Sequence, residues 1–400
     1  MYRHVIAIKQ EQKDLLLMKF IHTSDWHIGR QFHNVSLLED QKHVLKQITA
    51  YIKQEEVDAV VIAGDIYDRS IPPASAVQLL DEVLTQITEE MGVPVIIISG
   101  NHDSAERLRF GSAQLGQSGL HIMGDLSKIT EPVIISTNSG NMAFYGVPYN
   151  DPEMVRNMFG QQLSTYDEAH TYLVDSIKAV ASAKKPTMPN ILISHCFIDG
   201  AQESDSERPL SIGGSDRVSY QPCLFFDYVA LGHLHAPQYK GEEHVRYSGS
   251  ILKYSFSEQH QKKGVTLVEL NTEGFKSATY LPLKPLRNMR ILEGEFATLL
   301  EQGATDPNHE DYLLIRITDR HAILDPMAKL REVYPNVLQL EKPGMLISGE
   351  QVMNREKLKR GELEMFKDFF VQITGQEISK DQGEAIRSTI EELHKQEKNA

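Results

Sequence analysis

Apolar runs and amphipathic stretches alternate along the first part of the chain. Four consecutive β-branched residues, Val95 to Ile98, are typical of a strand that is buried on both faces within a parallel sheet. Two further apolar runs precede it, and an amphipathic stretch separates each pair of runs. This order favours parallel pairing with right-handed crossovers, as in an α/β fold. The predicted strands are residues 20–24, 58–63 and 93–99, and the predicted helices are residues 37–53 and 72–90.

The alternation continues less regularly through the rest of the chain. Residues 199–219 are polar and contain glycine, which predicts a long loop. Capping-box patterns at Ser36 and Ser379 predict two helix starts. The further predicted strands are residues 142–147, 190–194, 227–231, 245–248, 265–270, 278–281, 289–292, 312–317 and 337–340. The further predicted helices are residues 151–159, 167–183 and 326–334.

These patterns divide the chain into predicted parts. Residues 1–17 are expected to be an extension outside the fold, because the first convincing strand begins near Met18. Residues 18–284 form the main domain, residues 285–345 a small α/β domain, and residues 346–400 a charged helical segment. Apolar residues at helical spacing in that last segment could cover the protein's own core or dock on a partner.

Composition excludes several classes of protein. No apolar run reaches the length of about eighteen residues that a membrane-spanning helix needs. The two cysteines, Cys196 and Cys223, are too few for a disulfide framework, which favours a reducing cytoplasm. The formal net charge of −14 does not support nucleic-acid binding through overall charge, so any basic groove would have to be local.

Metal-capable side chains follow five of the predicted strands. If these strands belong to a single sheet, their ends would meet at one edge. Carboxylates, an amide oxygen and imidazoles, without a thiolate, suit manganese, iron or magnesium-like ions. The candidate ligands are too many for one ion and sufficient for two: Asp25, His27, Asp65, Asn101, His195, His233 and His235.

A pair of ions needs a ligand that both share. Asp65 follows a central strand that has further strands on either side, so it is the natural bridging carboxylate. Two ions about 4 Å apart polarise a phosphoryl group, lower the pKa of a bound water, and stabilise the entering and leaving oxygens. The sequence therefore predicts phosphoester hydrolysis.

His102 directly follows a candidate ligand, so it should point elsewhere when Asn101 points at a metal. A histidine in that place can stabilise charge on the phosphoryl group or protonate the leaving oxygen. Asp68 or Asp103 could orient it through a ring nitrogen. Two structural alternatives stay open: Asp103 could form a turn or cap the short helix after it, and Asp68 could form a turn before Pro72.

Five sequence blocks resemble those of the calcineurin-like metallophosphoesterases. They are Asp25-Trp26-His27, Gly64-Asp65-Ile66-Tyr67-Asp68, Gly100-Asn101-His102-Asp103, His195 and Gly232-His233-Leu234-His235. Longer matches resemble the SbcD family of nuclease subunits within that superfamily; they cover residues 22–29, 99–104, 227–235 and 246–250. The resemblance extends over about residues 18–290 and is looser beyond them.

The resemblance implies a metallophosphoesterase core, an α+β sandwich whose mixed sheets are flanked by helices. It also implies a small capping domain that binds DNA and C-terminal helices that bind a partner. His102 would be the catalytic histidine and would not ligate a metal. One manganese ion would be held by Asp25, His27, Asp65 and His235, and the other by Asp65, Asn101, His195 and His233.

The activity implied by the resemblance is that of a double-strand exonuclease and single-strand endonuclease that opens hairpins, in DNA repair, recombination and replication. The partner would be an SbcC-type ABC ATPase, with the chain forming a dimer within a heterotetramer. The absence of a G-x-x-x-x-G-K-[ST] motif is consistent with energy that comes from a partner. Two alternatives remain: a binuclear phosphoesterase for phosphoproteins or small phosphoesters, and a non-catalytic scaffold of the same fold.

Phosphate contacts with DNA would need basic side chains near the ligand blocks. Each basic residue there could equally be a solvated surface charge. The candidates are Arg30, Arg69, Arg107, Arg109, Arg208 and Arg217.

Overall fold

The structure, a computed structural model, divides into two compact units with a boundary between Met289 and Arg290. The extension predicted over residues 1–17 lies outside the described residues, except for Leu17. The described residues are 17–183, 188–207, 216–319, 321, 323–343, 363, 366–367, 370–371 and 376–397.

Most of the described secondary structure belongs to the first unit. Its strands are β1 Met18–Thr23, β2 Gln31–Phe32, β3 Val35–Ser36, β4 Ala59–Ala63, β5 Val95–Ile98, β6 Leu120–Ile122, β7 Val133–Thr137, β8 Gly140–Val147, β9 Asn190–His195, β10 Phe197–Ile198, β11 Arg217–Val218, β12 Tyr228–Gly232, β13 Gln238–Lys240, β14 Glu242–Tyr247, β15 Gly264–Asn271 and β16 Gly274–Pro282. Its α-helices are α1 Leu38–Gln54, α2 Ala74–Thr85, α3 Ala105–Leu108, α4 Ser112–Leu115, α5 Pro152–Phe159 and α6 Tyr166–Ala183.

Two mixed sheets of six strands form this unit. The first has the order β16-β15-β1-β4-β5-β6, in which β1, β4, β5 and β6 run parallel. The second has the order β13-β14-β12-β9-β8-β7, in which β14, β12, β9 and β8 run parallel. The predicted parallel pairing of the first strands is therefore confirmed.

The expectation that all metal-bearing strands share a single sheet is wrong. Three of them, β1, β4 and β5, belong to the first sheet, whereas β9 and β12 belong to the second. Apolar periodicity identifies a buried strand but does not say which strand lies beside it. The strand ends still meet, because the two sheets pack face to face with their parallel strands ending at the same edge.

The core between the sheets comes from alternate residues of facing strands. Val61 and Ala63 of β4 pack in one cluster with Ile191 and Ile193 of β9. The opposite face of the second sheet packs against α5 and α6, with Leu192 among the residues buried there. Both faces of the central strands are thus covered, which explains why their sequences are continuously apolar.

The two predicted capping boxes have different outcomes. At Ser379 the box is confirmed: the Ser379 N–H donates to Gln382 Oε1 at 3.0 Å, and the Gln382 N–H donates to Ser379 Oγ at 3.3 Å. At Ser36 the predicted helix start is confirmed but the box is not formed, because Leu37 is the N-cap of α1. The Ser36 hydroxyl accepts the Leu38 N–H at 3.4 Å rather than the N–H of Glu39. The reason is local pairing: Ser36 belongs to the two-residue strand β3, which pairs with β2.

The predicted loop over residues 199–219 is also partly wrong. Arg217 and Val218 form β11, which pairs in parallel with β10. The Asp199 N–H donates to the Val218 carbonyl at 2.9 Å, so the start of the segment is tied to its end. Residues 208–215, including Arg208, lie outside the described residues.

In the part of the chain that the structure describes, the second unit contains the three predicted strands and the predicted helix at 326–334, together with one helix that was not predicted. Residues 346–362 of the predicted helical segment lie outside the described residues. Strands β17 Met289–Gly294, β18 Tyr312–Ile317 and β19 Val337–Glu341 form one sheet in that order. Helices α7 Phe296–Gly303, which was not predicted, and α8 Pro326–Val333 contribute Leu299 and Leu330 to its core. The helix α9 Lys380–Glu397 follows. Within the described residues, no helix has the length and apolar character that crossing a membrane requires.

The first prediction concerns the edge at which the two sheets meet. A Cβ at Gly232, the last residue of β12, would lie 1.9 Å from the Ala63 carbonyl oxygen of β4. Gly232→Ala should therefore lower the free energy of unfolding by about 3 kcal/mol, the upper range for overpacking, because backbone must move. Urea unfolding measures this. Gly116→Ala is the matched control, since a Cβ there meets its nearest atom at 3.7 Å, and equal stability of the two variants would contradict the prediction.

Candidate metal centre

Four of the metal-capable residues stand on tight turns that follow their strands. Asp25, His27, Asp65 and His233 have φ angles of 52°, 44°, 51° and 108°, a region that L-residues rarely adopt. Main-chain hydrogen bonds join two of these turns: the Asp25 N–H donates to the Gly64 carbonyl at 3.1 Å, and the His27 N–H donates to the Asp65 carbonyl at 3.0 Å. Strained backbone of this kind is concentrated at functional sites.

The Asp65 carboxylate lies at the centre of the cluster. Its Oδ2 is 3.7 Å from His27 Nε2, which belongs to the first sheet, and 3.6 Å from His195 Nε2, which belongs to the second. Its Oδ1 accepts the His102 N–H at 2.9 Å. One carboxylate therefore faces imidazoles from both sheets, which is the position that a ligand shared by two ions requires.

On one side of Asp65, three further ligand groups converge. The Nε2 atoms of His27 and His235 are 3.2 Å apart. The ligand atoms of Asp25, His27 and His235 all lie within 4.8 Å of one another. All three residues are buried, so a cation placed among them would be largely removed from water.

On the other side, the Asn101 side-chain oxygen links two imidazoles. It lies 3.0 Å from His195 Nε2 and 3.2 Å from His233 Nδ1. His195 Nδ1 is 2.9 Å from the Ala63 carbonyl, to which it can only donate, so its Nε2 carries the free lone pair. The structure thus brings all seven predicted ligands together in two neighbouring groups.

The chemistry of these donors fits divalent metal ions. Burial lowers the pKa of His27, His195 and His233, and a neutral imidazole is the form that binds a metal. Burial raises the pKa of Asp25, and the neighbouring Asp65 carboxylate raises it further. Cations among these groups would supply the positive charge that the buried carboxylates need.

His102 is oriented by the main chain. Its Nδ1 lies 2.7 Å from the Asp68 carbonyl oxygen, so Nδ1 carries a proton and Nε2 is left for another partner. Asp68 therefore contacts this ring through its backbone carbonyl and not through its carboxylate. The Asp68 carboxylate instead lies 3.0 Å from the Arg30 guanidinium.

Asp103 ties two ligand loops together. Its carboxylate accepts main-chain N–H groups from Ile66 at 3.1 Å, Tyr67 at 2.9 Å and Gly100 at 2.9 Å. The helix after it is capped by Ser104, whose Oγ accepts the Arg107 N–H, so Asp103 is not its cap. Asp103 therefore acts on the loops after β4 and β5 rather than on the His102 ring.

The arginines predicted as DNA contacts have different surroundings. Arg30 pairs with Asp68, and its guanidinium lies over the Tyr254 ring at 5.2 Å from the centroid. Arg217 lies 3.6 Å from Asp199 and over the Phe197 ring at 4.8 Å. Arg69, Arg107 and Arg109 are all exposed; Arg69 lies 3.9 Å from Asp68 and Arg109 lies 3.1 Å from Asp125. Arg208 lies outside the described residues.

Sequence reasoning missed Gln41, whose side chain is hydrogen-bonded to the loop after β1 that carries Asp25 and His27. It is fully buried on the inner face of α1. Its Nε2 donates to the carbonyls of Trp26 at 3.2 Å and His27 at 2.7 Å, and its Oε1 accepts the Gly29 N–H at 3.0 Å. The sequence signal was available: a glutamine occupies a position on the mostly apolar face of a helix.

Comparison with known proteins gives two family matches. A model described as calcineurin-like phosphoesterase matches residues 18–237, and one described as type 5 capsule protein repressor C-terminal domain matches residues 285–374. The chain is 36% identical over 374 residues to the SbcD subunit of the nuclease SbcCD from Staphylococcus epidermidis, which covers 93% of this chain and 98% of the relative.

Solved structures of similar proteins are more distant. TT1561 of Thermus thermophilus is 12% identical, with a TM-score of 0.39, over 67% of this chain and 100% of its own. A dimetal phosphatase from Danio rerio is 12% identical, with a TM-score of 0.40, over 67% of this chain and 99% of its own.

The second prediction concerns Gln41. Gln41→Leu should lower the free energy of unfolding by about 2–3 kcal/mol, because it leaves buried main-chain groups without a partner. It should also weaken Mn²⁺ binding, since the same loop carries Asp25 and His27. Urea unfolding and Mn²⁺ titration measure the two effects. Gln54→Leu on the exposed side of the same helix is the control, and equal effects of the two variants would contradict the assignment.

Proposed function

The chain belongs to the calcineurin-like phosphoesterase family, and from this premise we propose that it is a metal-dependent DNA nuclease subunit acting with an SbcC-type ATPase. The family membership and the fold class inferred from the five blocks are confirmed. One observation supports the nuclease function above all others: the likeness to the SbcD subunit of the nuclease SbcCD extends over both units of the chain and nearly the whole length of that relative.

The arrangement of side chains supports hydrolysis of a phosphodiester bond. Two bound divalent ions would polarise the phosphoryl group and supply a water of lowered pKa. We propose manganese, because nitrogen and oxygen donors without thiolate suit it. Asp65 would bridge, with Asp25, His27 and His235 on one side and Asn101, His195 and His233 on the other.

His102 would act on the substrate rather than on a metal. Its Nδ1–H is engaged by the Asp68 carbonyl, so the ring cannot rotate without losing that bond. The Nε2 side is then free to face the scissile phosphate, where it stabilises negative charge or passes a proton to the leaving oxygen.

The second unit and the tail would serve DNA and partner binding. We propose that residues 285–345 form a capping domain that contacts DNA and that residues 346–400 dock on the ATPase, in a heterotetramer containing two copies of this chain. A cytoplasmic setting agrees with two free, buried cysteines. Among the predicted arginines that the structure describes, Arg107 is the best candidate for a phosphate contact. Its side chain is exposed, whereas each of the others lies beside a carboxylate, namely Arg30, Arg69, Arg109 and Arg217.

A hairpin DNA substrate tests the proposed function. The purified chain is incubated with Mn²⁺ and a labelled hairpin, with and without the ATPase subunit, and cleavage is followed on a denaturing gel. We expect Mn²⁺-dependent opening of the hairpin and ATP-stimulated degradation of linear duplex when the partner is present. Hydrolysis of p-nitrophenyl phosphate without any cleavage of DNA would favour the small-phosphoester alternative, and no hydrolysis of either would favour the scaffold.

The third prediction separates catalysis from metal binding. His102→Ala should bind two Mn²⁺ ions while cleavage falls about 10²–10³-fold, because a transition-state contact is removed and no ligand is lost. Elemental analysis counts the metal, and single-turnover cleavage measures the rate. His121→Ala in β6 is the control and should retain wild-type cleavage. Loss of an ion from the His102 variant would contradict its role.

The fourth prediction concerns partner docking. Ile386 and Ile390 stand one helical turn apart on α9, and both side chains are half-buried. Ile386→Asp should abolish co-purification with the ATPase subunit while Mn²⁺-dependent hairpin opening is retained. The substitution places a charge on the proposed docking face of α9, which carries Ile386 and Ile390, and leaves the metal ligands unchanged. Ser388→Asp, on the exposed side of the same helix, should co-purify normally. An Ile386 variant that still co-purifies would move the docking surface elsewhere.

A further inference from the structure

The ring of His235 has a second side that faces away from the other ligands. Its Nε2 lies 3.2 Å from His27 Nε2 and so points into the cluster. Its Nδ1 lies 2.6 Å from Ser206 Oγ and 3.4 Å from Glu258 Oε1. His235 can ligate through Nε2 only if its ring proton stays on Nδ1, so the groups on this second side decide whether the ligating lone pair is available.

Glu258 is a fully buried carboxylate that is paired with a buried lysine. Its Oε2 lies 2.5 Å from Lys263 Nζ, a charge-assisted contact that offsets the cost of burying both charges. Lys263 also donates to the His235 carbonyl at 2.8 Å and to Ser250 Oγ at 2.8 Å. The pair is therefore anchored to the backbone of the metal-ligand loop.

The direction of each hydrogen bond in this group follows from which atoms carry a proton. An ionised Glu258 can only accept, so the Ser206 hydroxyl donates to its Oε1. Serine has a single hydroxyl proton, and that proton is used. The 2.6 Å contact between Ser206 Oγ and His235 Nδ1 must then be donated by the histidine, which places the ring proton on Nδ1 and leaves Nε2 bare.

Two other rings of the centre, His195 and His102, are bonded to the main chain. His195 donates from Nδ1 to the Ala63 carbonyl, and His102 is bonded to the Asp68 carbonyl. Backbone acceptors of this kind persist in any variant that folds. His235 instead depends on two side chains, which come from different segments, Ser206 from the loop after β10 and Glu258 from a 3₁₀ turn before β15.

We propose that Glu258, paired with Lys263 and acting through Ser206, is a positioning residue that keeps the ring proton of His235 on Nδ1 and thereby sets the affinity of one of the two metal ions. This inference rests on the proposed two-metal function. The ion affected is the one on the side of Asp25, His27 and His235. The ion on the side of Asn101, His195 and His233 should keep its affinity, because the His195 ring is oriented by the Ala63 carbonyl.

Mn²⁺ titration of the full chain by isothermal calorimetry tests the proposal. We expect the wild type to bind two ions, and Ser206→Ala and Glu258→Gln to weaken one of them by about 10–100-fold while the other keeps its affinity. Ser206→Thr keeps a hydroxyl at this position and should bind both ions with wild-type affinity. Circular dichroism checks folding, and Ser206→Ala carries the test if Glu258→Gln does not fold, because it leaves the ion pair intact.

Ser257→Ala is the matched control. Ser257 Oγ accepts the Asp205 N–H at 3.3 Å, so it anchors the same loop without contacting His235. Its Mn²⁺ affinities should equal those of the wild type. Unchanged binding of both ions in the Ser206 and Glu258 variants would overturn the proposal, as would equal weakening of both ions. A wild-type chain that binds no pair of ions would overturn the two-metal function itself, and the inference with it.

Discussion

The close approach of backbone around Asp65 is the constraint on which the rest of the structure depends. A Cβ at Gly100 would lie 2.1 Å from Asp65 Oδ1, one at Gly64 would lie 2.4 Å from His195 Nδ1, and one at Gly232 would lie 1.9 Å from the Ala63 carbonyl. These glycines belong to three different strand ends, from both sheets. Only with hydrogen in these places can the two sheet edges come close enough for one carboxylate to face ligands from both.

This proximity has an electrostatic cost. Asp25 and Asp65 are both buried, and burial together with their mutual repulsion raises the pKa of Asp25. The same burial keeps the neighbouring imidazoles neutral. A centre of this composition gains most from divalent cations, since they relieve the carboxylates and bind neutral imidazoles without displacing a proton. Metal affinity and the stability of the fold are therefore linked through the same residues.

The sequence predicted the parts of this arrangement that depend on local pattern. Strand ends, turn glycines and the ligand residues follow from apolar runs that stop at polar side chains, as at Val95 to Asn101. It did not predict that β9 and β12 lie in a second sheet, because strand pairing is decided by packing between distant segments. It also could not identify the acceptor of the His102 ring, because every residue has a backbone carbonyl and none of them is visible as a motif.

Residues that support the ligands divide according to whether they belong to a segment that itself carries a ligand. Asp103 joins the loops after β4 and β5 from within a recognisable motif, so its presence was noticed although its role was not. Gln41 and Glu258 act from elements that carry no ligand. Gln41 lies on a helix face that its apolar neighbours mark as buried, whereas Glu258 lies in a polar stretch whose burial only the structure shows. A buried polar side chain costs free energy unless it is fully bonded. A polar residue that the structure shows to be buried and fully bonded beside a known ligand motif is therefore what identifies a supporting side chain around a metal centre.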